Sequence, residues 1–182
     1  KVIKIVNLCD VEVPVYLFDE IVLKKIIKLY EKEATGDYYR EILKIRGYPN
    51  VRNMCLYVPY IVGADVVVLI DDDEVFEDEN FMDKALQFIG KRFHGKTIDG
   101  IAGYYLNEDG SYYDKVKMEP WMAYWDRFGS KAEAFDIIIG QPPRVKETPV
   151  AFGGAMVIHS NLFKVVPFDP KITRGEDTDY VI

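Results

Sequence analysis

Cysteine and histidine are scarce in this sequence: its 182 residues contain two of each. Cys9 and Cys55 are too few for the network of disulfides that stabilises small secreted domains, or for a zinc–thiolate cluster. We therefore expect the protein to work in a reducing compartment, with the cytoplasm as its location.

A surplus of positive charge is also missing. Lysine and arginine number 23 against 30 aspartates and glutamates, which gives a net charge of −7. Nucleic-acid binding depends on basic side chains that neutralise phosphates, so we expect no nucleic-acid partner. Part of the acidic excess is local, because seven of the nine residues in 71–79 are acidic.

Long hydrophobic runs are lacking as well. The apolar stretch 54–70 is interrupted by Pro59 and Asp65 and is too short for a membrane span. No signal peptide, internal repeat or linker is recognisable. With 49% hydrophobic and 29% charged residues, the composition is that of a globular chain long enough for one domain with a core.

The two ends lead us to expect a fragment of a longer protein. The sequence starts in an apolar segment without a methionine, and it stops at Tyr180-Val181-Ile182. The pattern there predicts the first turn of a helix.

The most informative stretch is Val66-Val67-Val68-Leu69-Ile70, which is followed by Asp71-Asp72-Asp73-Glu74. Five consecutive apolar residues predict a strand buried on both faces of a parallel sheet. Open α/β sheets bind ligands at the edge where such strands end. Adjacent carboxylates repel each other, and Mg²⁺ or Mn²⁺ would compensate them while bridging to a substrate phosphate. The alternative is a solvated acidic loop without a ligand.

Hydrophobic periodicity predicts alternating helices and strands around this stretch. The predicted strands are 13–18, 41–45, 66–70 and 155–159, with a β-hairpin formed by 98–106 and 111–113 across the turn 107–110. The predicted helices are 23–34, 51–62 (kinked or ended at Pro59), 82–93, 121–128, 132–139 and one that starts near 176. This order predicts a single α/β domain over 1–182, with a Rossmann-like, mostly parallel central sheet flanked by helices.

Several motifs in this order resemble those of the GT-A fold glycosyltransferases, most closely family 2. In that family a buried strand ends in an Asp-x-Asp motif that holds a metal ion on the nucleotide-sugar diphosphate, and Asp71 and Asp73 match it. Arg52-Asn53 is similar to the family's Arg-Asn pair before the motif strand, and Asp19 lies where the family has an acidic residue that contacts the nucleoside.

The resemblance continues downstream. Phe152-Gly153-Gly154-Ala155-Met156 is similar to the family's Gly-rich acceptor-side strand, and Glu176-Asp177-Thr178-Asp179 to its Glu-Asp-x-Asp motif. Two family features are not recognisable: the first strand, and the Gly-rich stretch before Arg-Asn, which is reduced to Gly47-Tyr48-Pro49.

The resemblance implies a metal-dependent glycosyltransferase that uses Mn²⁺ or Mg²⁺ and moves a sugar from a UDP- or GDP-sugar donor to a hydroxyl acceptor. Residues 13–75 would form the nucleotide-sugar-binding half and 76–182 the acceptor-binding half. It assigns donor binding to Asp19, Arg52, Asp71, Asp72 and Asp73, metal binding to Asp71 and Asp73, acceptor binding to Gly153, Gly154, Arg174 and Glu176, and the general base to Asp177. Inversion at the anomeric carbon is expected, and related GT-A enzymes that retain configuration stay open.

Two other functions remain as alternatives. The segment 69–75 also fits the motif of haloacid-dehalogenase-like phosphatases, in which Asp71 would be a covalent nucleophile and Asp73 the acid/base. Asp177 and Asp179 would then bind magnesium. That motif normally lies on the first strand, whereas other strands are predicted before it here. The second alternative is a non-catalytic module that binds a nucleotide or a sugar.

Other polar and aromatic residues favour structural interpretations. His159 ends an apolar strand and is interpreted as a structural histidine rather than a third metal ligand. The pair Tyr104-Tyr105 is interpreted as half-buried strand residues rather than as a sugar-stacking platform. Trp121 and Trp125 share one helical face and could either form an acceptor wall or pack in the core.

Overall fold

The structure, a computed structural model, describes residues 13–33, 39–112, 117, 119–124 and 130–182. Its helices are α1 (Glu20–Glu33), α2 (Tyr39–Ile42), α3 (Tyr48–Val62), α4 (Phe81–Leu86), α5 (Ser130–Phe135), α6 (Ser160–Phe163) and α7 (Glu176–Val181). Its strands are β1 (Val66–Leu69), β2 (Arg92–Phe93), β3 (Lys96–Thr97), β4 (Gly100–Ala102) and β5 (Met156–His159). Short 3₁₀ turns cover Pro120–Tyr124 and Gly153–Ala155, and a π-helical turn covers Asp136–Gly140.

β5 lies between β1 and β4 and runs antiparallel to both. The outer strands β1 and β4 therefore run parallel to each other without being neighbours. The predicted mixed α/β class is confirmed. In the described part of the chain, however, the neighbouring strands of this sheet pair antiparallel, and the predicted parallel pairing is not shown there.

The core has two parts, and α3 contributes to both. Leu56 of α3 packs against the sheet in a cluster that includes Ile158, which is fully buried, and Phe168. Met54 packs on the opposite side of α3 with Leu23 and Leu43. In β1 the predicted burial is complete on one face only, since Val67 and Leu69 are buried while Val66 and Val68 are half-buried.

Several predicted elements are confirmed: α1, α3, the strands β1 and β5, and α7. Helix α1 ends at Glu33 within the described residues, and Ala34 lies outside them. Helix α3 contains Pro59 and ends at Val62, where Gly63 adopts a left-handed conformation with φ of 73°. It begins at Tyr48, earlier than predicted, because Pro49 is tolerated in a first helical turn. Among the described helices, none is both long and apolar enough to cross a bilayer.

Two predicted strands in the first half are wrong. Residues 13–18 have no regular secondary structure, and Tyr16 is 84% exposed. An apolar run of this kind forms a strand only if a partner strand is available, and the described residues provide none here. Residues 41–45 include the end of α2, because Leu43 donates its amide to the carbonyl of Tyr39 at 2.8 Å and buries its side chain beside α1 and α3.

The predicted helix 82–93 is also wrong in its second half. Helix α4 ends at Leu86, and Gly90 has φ of 73°, which a continuing helix does not allow. The chain then forms a β-hairpin in which a two-residue turn joins β2 and β3. His94 and Gly95 make its turn with φ of 48° and 82°, and two consecutive positive φ values are the signature of a type I′ turn.

The hairpin predicted for 98–113 has the wrong partner strand. The turn itself is present, since Asn107 donates its amide to the carbonyl of Ser111 at 2.7 Å. β4, however, pairs with β5, where Ile101 and Ala102 are half-buried. Tyr113, Trp125 and the rest of the helix predicted over 121–128 beyond Tyr124 lie outside the described residues.

A buried asparagine connects α3 to the segment that precedes α7. Asn53 is 3% exposed; its Nδ2 donates to the carbonyl of Phe168 at 2.9 Å, and its Oδ1 accepts from the amide of Phe168 at 2.7 Å. The ring of Phe168 stacks on that of Tyr180 in α7, with centroids 4.1 Å apart. Asn53 therefore helps to fix the place of α7 relative to α3.

We predict that Asn53→Ala lowers the free energy of unfolding by about 2–6 kcal/mol, since two buried backbone groups of Phe168 lose their partner at roughly 1–3 kcal/mol each. Chemical denaturation measures the change. Asn50→Ala is the matched control on the same helix. Asn50 makes a single 3.2 Å hydrogen bond, to the carbonyl of Arg46, and its Oδ1 has no partner among the described residues. Equal losses in the two variants would contradict the role of Asn53.

Candidate functional site

The first acidic residue after β1 is paired with an arginine. Nη2 of Arg52, in the second turn of α3, lies 2.9 Å from Oδ1 of Asp71. The Arg52 side chain is only 11% exposed, whereas that of Asp71 is 41% exposed. A buried guanidinium is stable only when its charge is compensated, so the two side chains hold each other at the end of the strand. Helix α3 thus supplies the cation that balances this carboxylate.

The diglycine Gly153-Gly154 lies directly against this pair. Because Leu69 is opposite Met156 in the antiparallel register, the residues just before β5 lie beside those just after β1. A Cβ atom on Gly153 would come within 2.3 Å of Nη2 of Arg52. One on Gly154 would come within 2.4 Å of Oε1 of Glu74 and 2.5 Å of Cγ of Asp71. A side chain at either position would therefore force the Arg52, Asp71 or Glu74 side chain to shift.

The second acidic segment reaches the same place through Asp177. Its Oδ2 accepts a hydrogen bond from the amide of Gly153 at 3.0 Å, and its Oδ1 accepts one from the amide of Thr178 at 2.8 Å. Asp177 lies in the first turn of α7, after Gly175 with φ of 78°. The structure therefore brings Asp71 and Asp177 to the same diglycine turn, although they are far apart in the sequence.

Two further residues belong to this cluster and are absent from the sequence-based site. The Tyr105 hydroxyl accepts a hydrogen bond from the amide of Gly154 at 3.2 Å and also interacts with the Glu74 carboxylate. Burial raises the pKa of Glu74, the Tyr105 hydroxyl lowers it, and the charges of Asp71 and Asp73 raise it further. Burial and the same carboxylate raise the pKa of Tyr105.

One carboxylate oxygen of Glu74 lacks a hydrogen-bond partner among the described residues. Its Oε1 is buried, and no hydrogen bond of good geometry reaches it from the described residues. Glu74 belongs to the same acidic run as the predicted ligands, and this position in the sequence is the signal that could have identified it as a site residue. For Tyr105 the sequence carries no comparable signal, because β4 and its continuation come to this edge only through pairing with β5.

The other predicted site residues are placed differently. Asp72, Asp73 and Arg174 are exposed, and Glu176 is 6% exposed at the start of α7. Asp19 caps α1: its Oδ1 accepts from the amides of Ile21 at 2.9 Å and Val22 at 3.0 Å. The assigned roles of these residues in donor and acceptor binding stay predictions.

His159 lies at the opposite end of β5 from the diglycine, because it pairs with Val66, the first residue of β1. Its Nδ1 accepts a hydrogen bond from the amide of Asn161 at 3.1 Å and lies 3.9 Å from Oδ1 of Asp99. These contacts agree with the structural interpretation of this histidine.

A ready-made metal site is not present in the described ranges, where no three His, Cys, Asp or Glu side chains are grouped so that they could hold an ion. The oxygen atoms nearest to such a role are those at the end of β1. They comprise the buried Oε1 of Glu74, the Asp71 oxygen not engaged by Arg52, and the exposed carboxylate of Asp73. These are hard oxygen donors of the kind that Mg²⁺ and Mn²⁺ prefer.

We predict that Gly154→Ala destabilises the protein by about 1–3 kcal/mol, because its Cβ would overlap the carboxylates of Glu74 and Asp71. Gly100→Ala in β4 is the control, since its Cβ would meet nothing closer than Cδ2 of Leu162 at 3.6 Å. Denaturant unfolding compares the two. A Gly154→Ala variant as stable as Gly100→Ala would show that the diglycine does not pack as described.

No protein-family model matches the chain, and neither a curated protein nor a solved structure is significantly similar to it.

Proposed function

We propose that this chain is a metal-dependent glycosyltransferase of the GT-A type, most like family 2. It would move a sugar from a UDP- or GDP-sugar to a hydroxyl acceptor, with inversion, in the cytoplasm. A GT-A fold also has parallel strands in its central sheet, and their presence is part of this proposal. One observation carries it: the hydrogen bond from Gly153 to Asp177 joins the second acidic segment to the acidic end of β1.

The meeting of the two acidic segments at Gly153-Gly154 supports a site with two functions, leaving-group stabilisation and acceptor activation. Leaving-group stabilisation needs charge compensation near the donor diphosphate, and acceptor activation needs a carboxylate a short distance away. Asp71 contacts Gly154 of the turn and is followed closely by Asp73, and Asp177 accepts a hydrogen bond from Gly153 of the same turn. A solvated acidic loop would need neither the buried Arg52 nor a diglycine fitted against it.

A divalent ion fits the oxygen donors at the end of β1. Asp73 and the free oxygen of Asp71 would hold it, as the resemblance implies, with the buried Oε1 of Glu74 close to Asp71. Mg²⁺ and Mn²⁺ sites commonly use one or two carboxylates together with substrate phosphates, so a group of three protein ligands is not required. When bound, the ion supplies positive charge that compensates the diphosphate leaving group.

Asp177 is the proposed general base. Each of its oxygens accepts one backbone hydrogen bond, which leaves lone pairs free because a carboxylate has about four acceptor positions. In the transfer, the acceptor oxygen forms a bond to the anomeric carbon while the bond from that carbon to the diphosphate oxygen breaks. The acceptor proton goes to Asp177.

Asp73→Ala should abolish the metal dependence of nucleotide binding, since an exposed carboxylate next to the Asp71–Arg52 pair is lost. Isothermal titration of UDP and GDP with and without Mn²⁺ measures this. Asp83→Ala, which removes an exposed acid from α4, is the charge-matched control and should behave as wild type. Unchanged Mn²⁺-dependent binding in Asp73→Ala would remove this residue from the metal site.

Asp177→Asn should lower the transfer rate by about 10²–10⁴-fold, the usual contribution of a general base, with donor affinity nearly unchanged. Asparagine keeps the size of the side chain and one acceptor oxygen, so the fold should survive the loss of one amide contact. Asp179→Asn, an exposed acid on the same helix, should retain activity. Wild-type transfer by Asp177→Asn would refute the assignment, and loss of donor binding would move Asp177 into the donor site.

The phosphatase alternative makes a different prediction for Asp71. Here Oδ1 of Asp71 is engaged by Arg52, and Asp177 accepts backbone amides. We therefore expect no phosphoaspartate chemistry, hence no stoichiometric binding of beryllofluoride in the presence of Mg²⁺ and no turnover of a phosphomonoester. Fluorine NMR detects such a complex, and its appearance would favour the phosphatase.

A further inference from the structure

The turn Gly153–Ala155 is held on both sides by polar groups at consecutive amides. The amide of Gly153 donates to Oδ2 of Asp177 at 3.0 Å, and the amide of Gly154 donates to the Tyr105 hydroxyl at 3.2 Å. Neither glycine has a side chain that could fix the turn by packing. A backbone hydrogen bond from the amide of Ala155 to the carbonyl of Phe152 at 2.9 Å closes the turn, and the two side-chain hydrogen bonds fix the direction of the two peptide groups within it.

Tyr105 is itself anchored in two ways. Its hydroxyl interacts with the half-buried Glu74 carboxylate, beside the acidic end of β1. Its ring packs on Phe152, with centroids 5.2 Å apart, and Phe152 directly precedes the diglycine. Phe152 is in turn in edge contact with Phe135 of α5, with centroids 5.4 Å apart. The hydroxyl thus stands at a fixed place between Glu74 and Gly154.

These contacts form one continuous connection. It runs from the Glu74 carboxylate through the Tyr105 hydroxyl to Gly154, and from Gly153 to the Asp177 carboxylate. The Gly153 amide belongs to the adjoining Phe152-Gly153 peptide group, and a displacement of the turn that rotates this group would turn the amide away from Oδ2 of Asp177. The carboxylate would then keep only the contact with the amide of Thr178, in its own helix.

We propose that Tyr105 is a positioning residue: its hydroxyl fixes the Gly153-Gly154 turn and thereby holds the Asp177 carboxylate in register with the acidic end of β1. The assignment rests on the proposed function in so far as Asp177 is the general base. Tyr105 itself need not touch the donor or the acceptor. Its effect on transfer is exerted through the turn.

Steady-state kinetics of Tyr105→Phe test the assignment. The variant keeps the ring and its packing on Phe152 and removes only the hydroxyl. We expect kcat to fall roughly 10- to 100-fold, because small displacements of a catalytic group have effects of this size, while KM for the donor stays nearly unchanged. Tyr104→Phe is the matched control, since the neighbouring ring lies against Tyr112 and is 48% exposed. An unchanged kcat in Tyr105→Phe would overturn the proposal.

A double-mutant cycle separates a positioning role from a general loss of structure. If Tyr105 acts through Asp177, then Tyr105→Phe should have little further effect on kcat in the Asp177→Asn background. An equal fall in both backgrounds would show that Tyr105 acts independently of Asp177, which contradicts the proposal.

The same cycle, followed by thermal unfolding, does not require enzymatic activity. Because both side chains hold the same turn, the Tm shift of the double variant should differ from the sum of the single shifts. Additive shifts would show that the turn does not couple them and would overturn the assignment of Tyr105. Absence of sugar transfer by the wild type, together with non-additive shifts, would instead refute the proposed function and leave the connection intact.

Discussion

The pairing of Leu69 with Met156 determines where the polar groups of the candidate site lie. In this antiparallel register the chain leaves β1 at the point where it enters β5. Asp71 therefore stands beside Gly153-Gly154, and both lie within reach of Arg52 from the neighbouring helix. A shift of one residue would turn the side chains of β5 to the other face, and Ile158 would leave its cluster with Leu56 and Phe168. The burial of the central strand thus secures the geometry of the site.

Charge compensation is the second constraint on this region. An acidic run in a chain of net charge −7 is unfavourable unless it is solvated or paired. The structure uses both solutions: Arg52 neutralises Asp71, while Asp72 and Asp73 face solvent. Glu74 is the exception, because burial raises its pKa and one of its oxygens lacks a partner among the described residues. A bound cation would relieve this cost, which is the physical reason to look for one here.

The sequence alone predicts the strand β1, its acidic end and the second acidic segment, because each of these features is a contiguous stretch of residues. It fails where partners distant in sequence decide the outcome. Residues 13–18 are an apolar run typical of a strand but have no described partner strand, and Leu43 forms a helical turn because it packs between two helices. The His94-Gly95 pair is compatible with a turn, but the apolar spacing before it in the sequence favours a longer helix. Tyr105 enters the site only through the pairing of β4 with β5.

A thermal-shift panel tests most directly whether the two acidic segments form one nucleotide-sugar site. The panel contains UDP, GDP and their sugars, each with and without Mn²⁺. A ligand at a hundred times its dissociation constant stabilises a protein by about 2.7 kcal/mol, which such a panel detects. A nucleotide-sugar site predicts stabilisation by one nucleotide series, dependent on Mn²⁺ and lost in Asp73→Ala. Unchanged melting with every nucleotide and sugar in the presence of Mn²⁺ would contradict it.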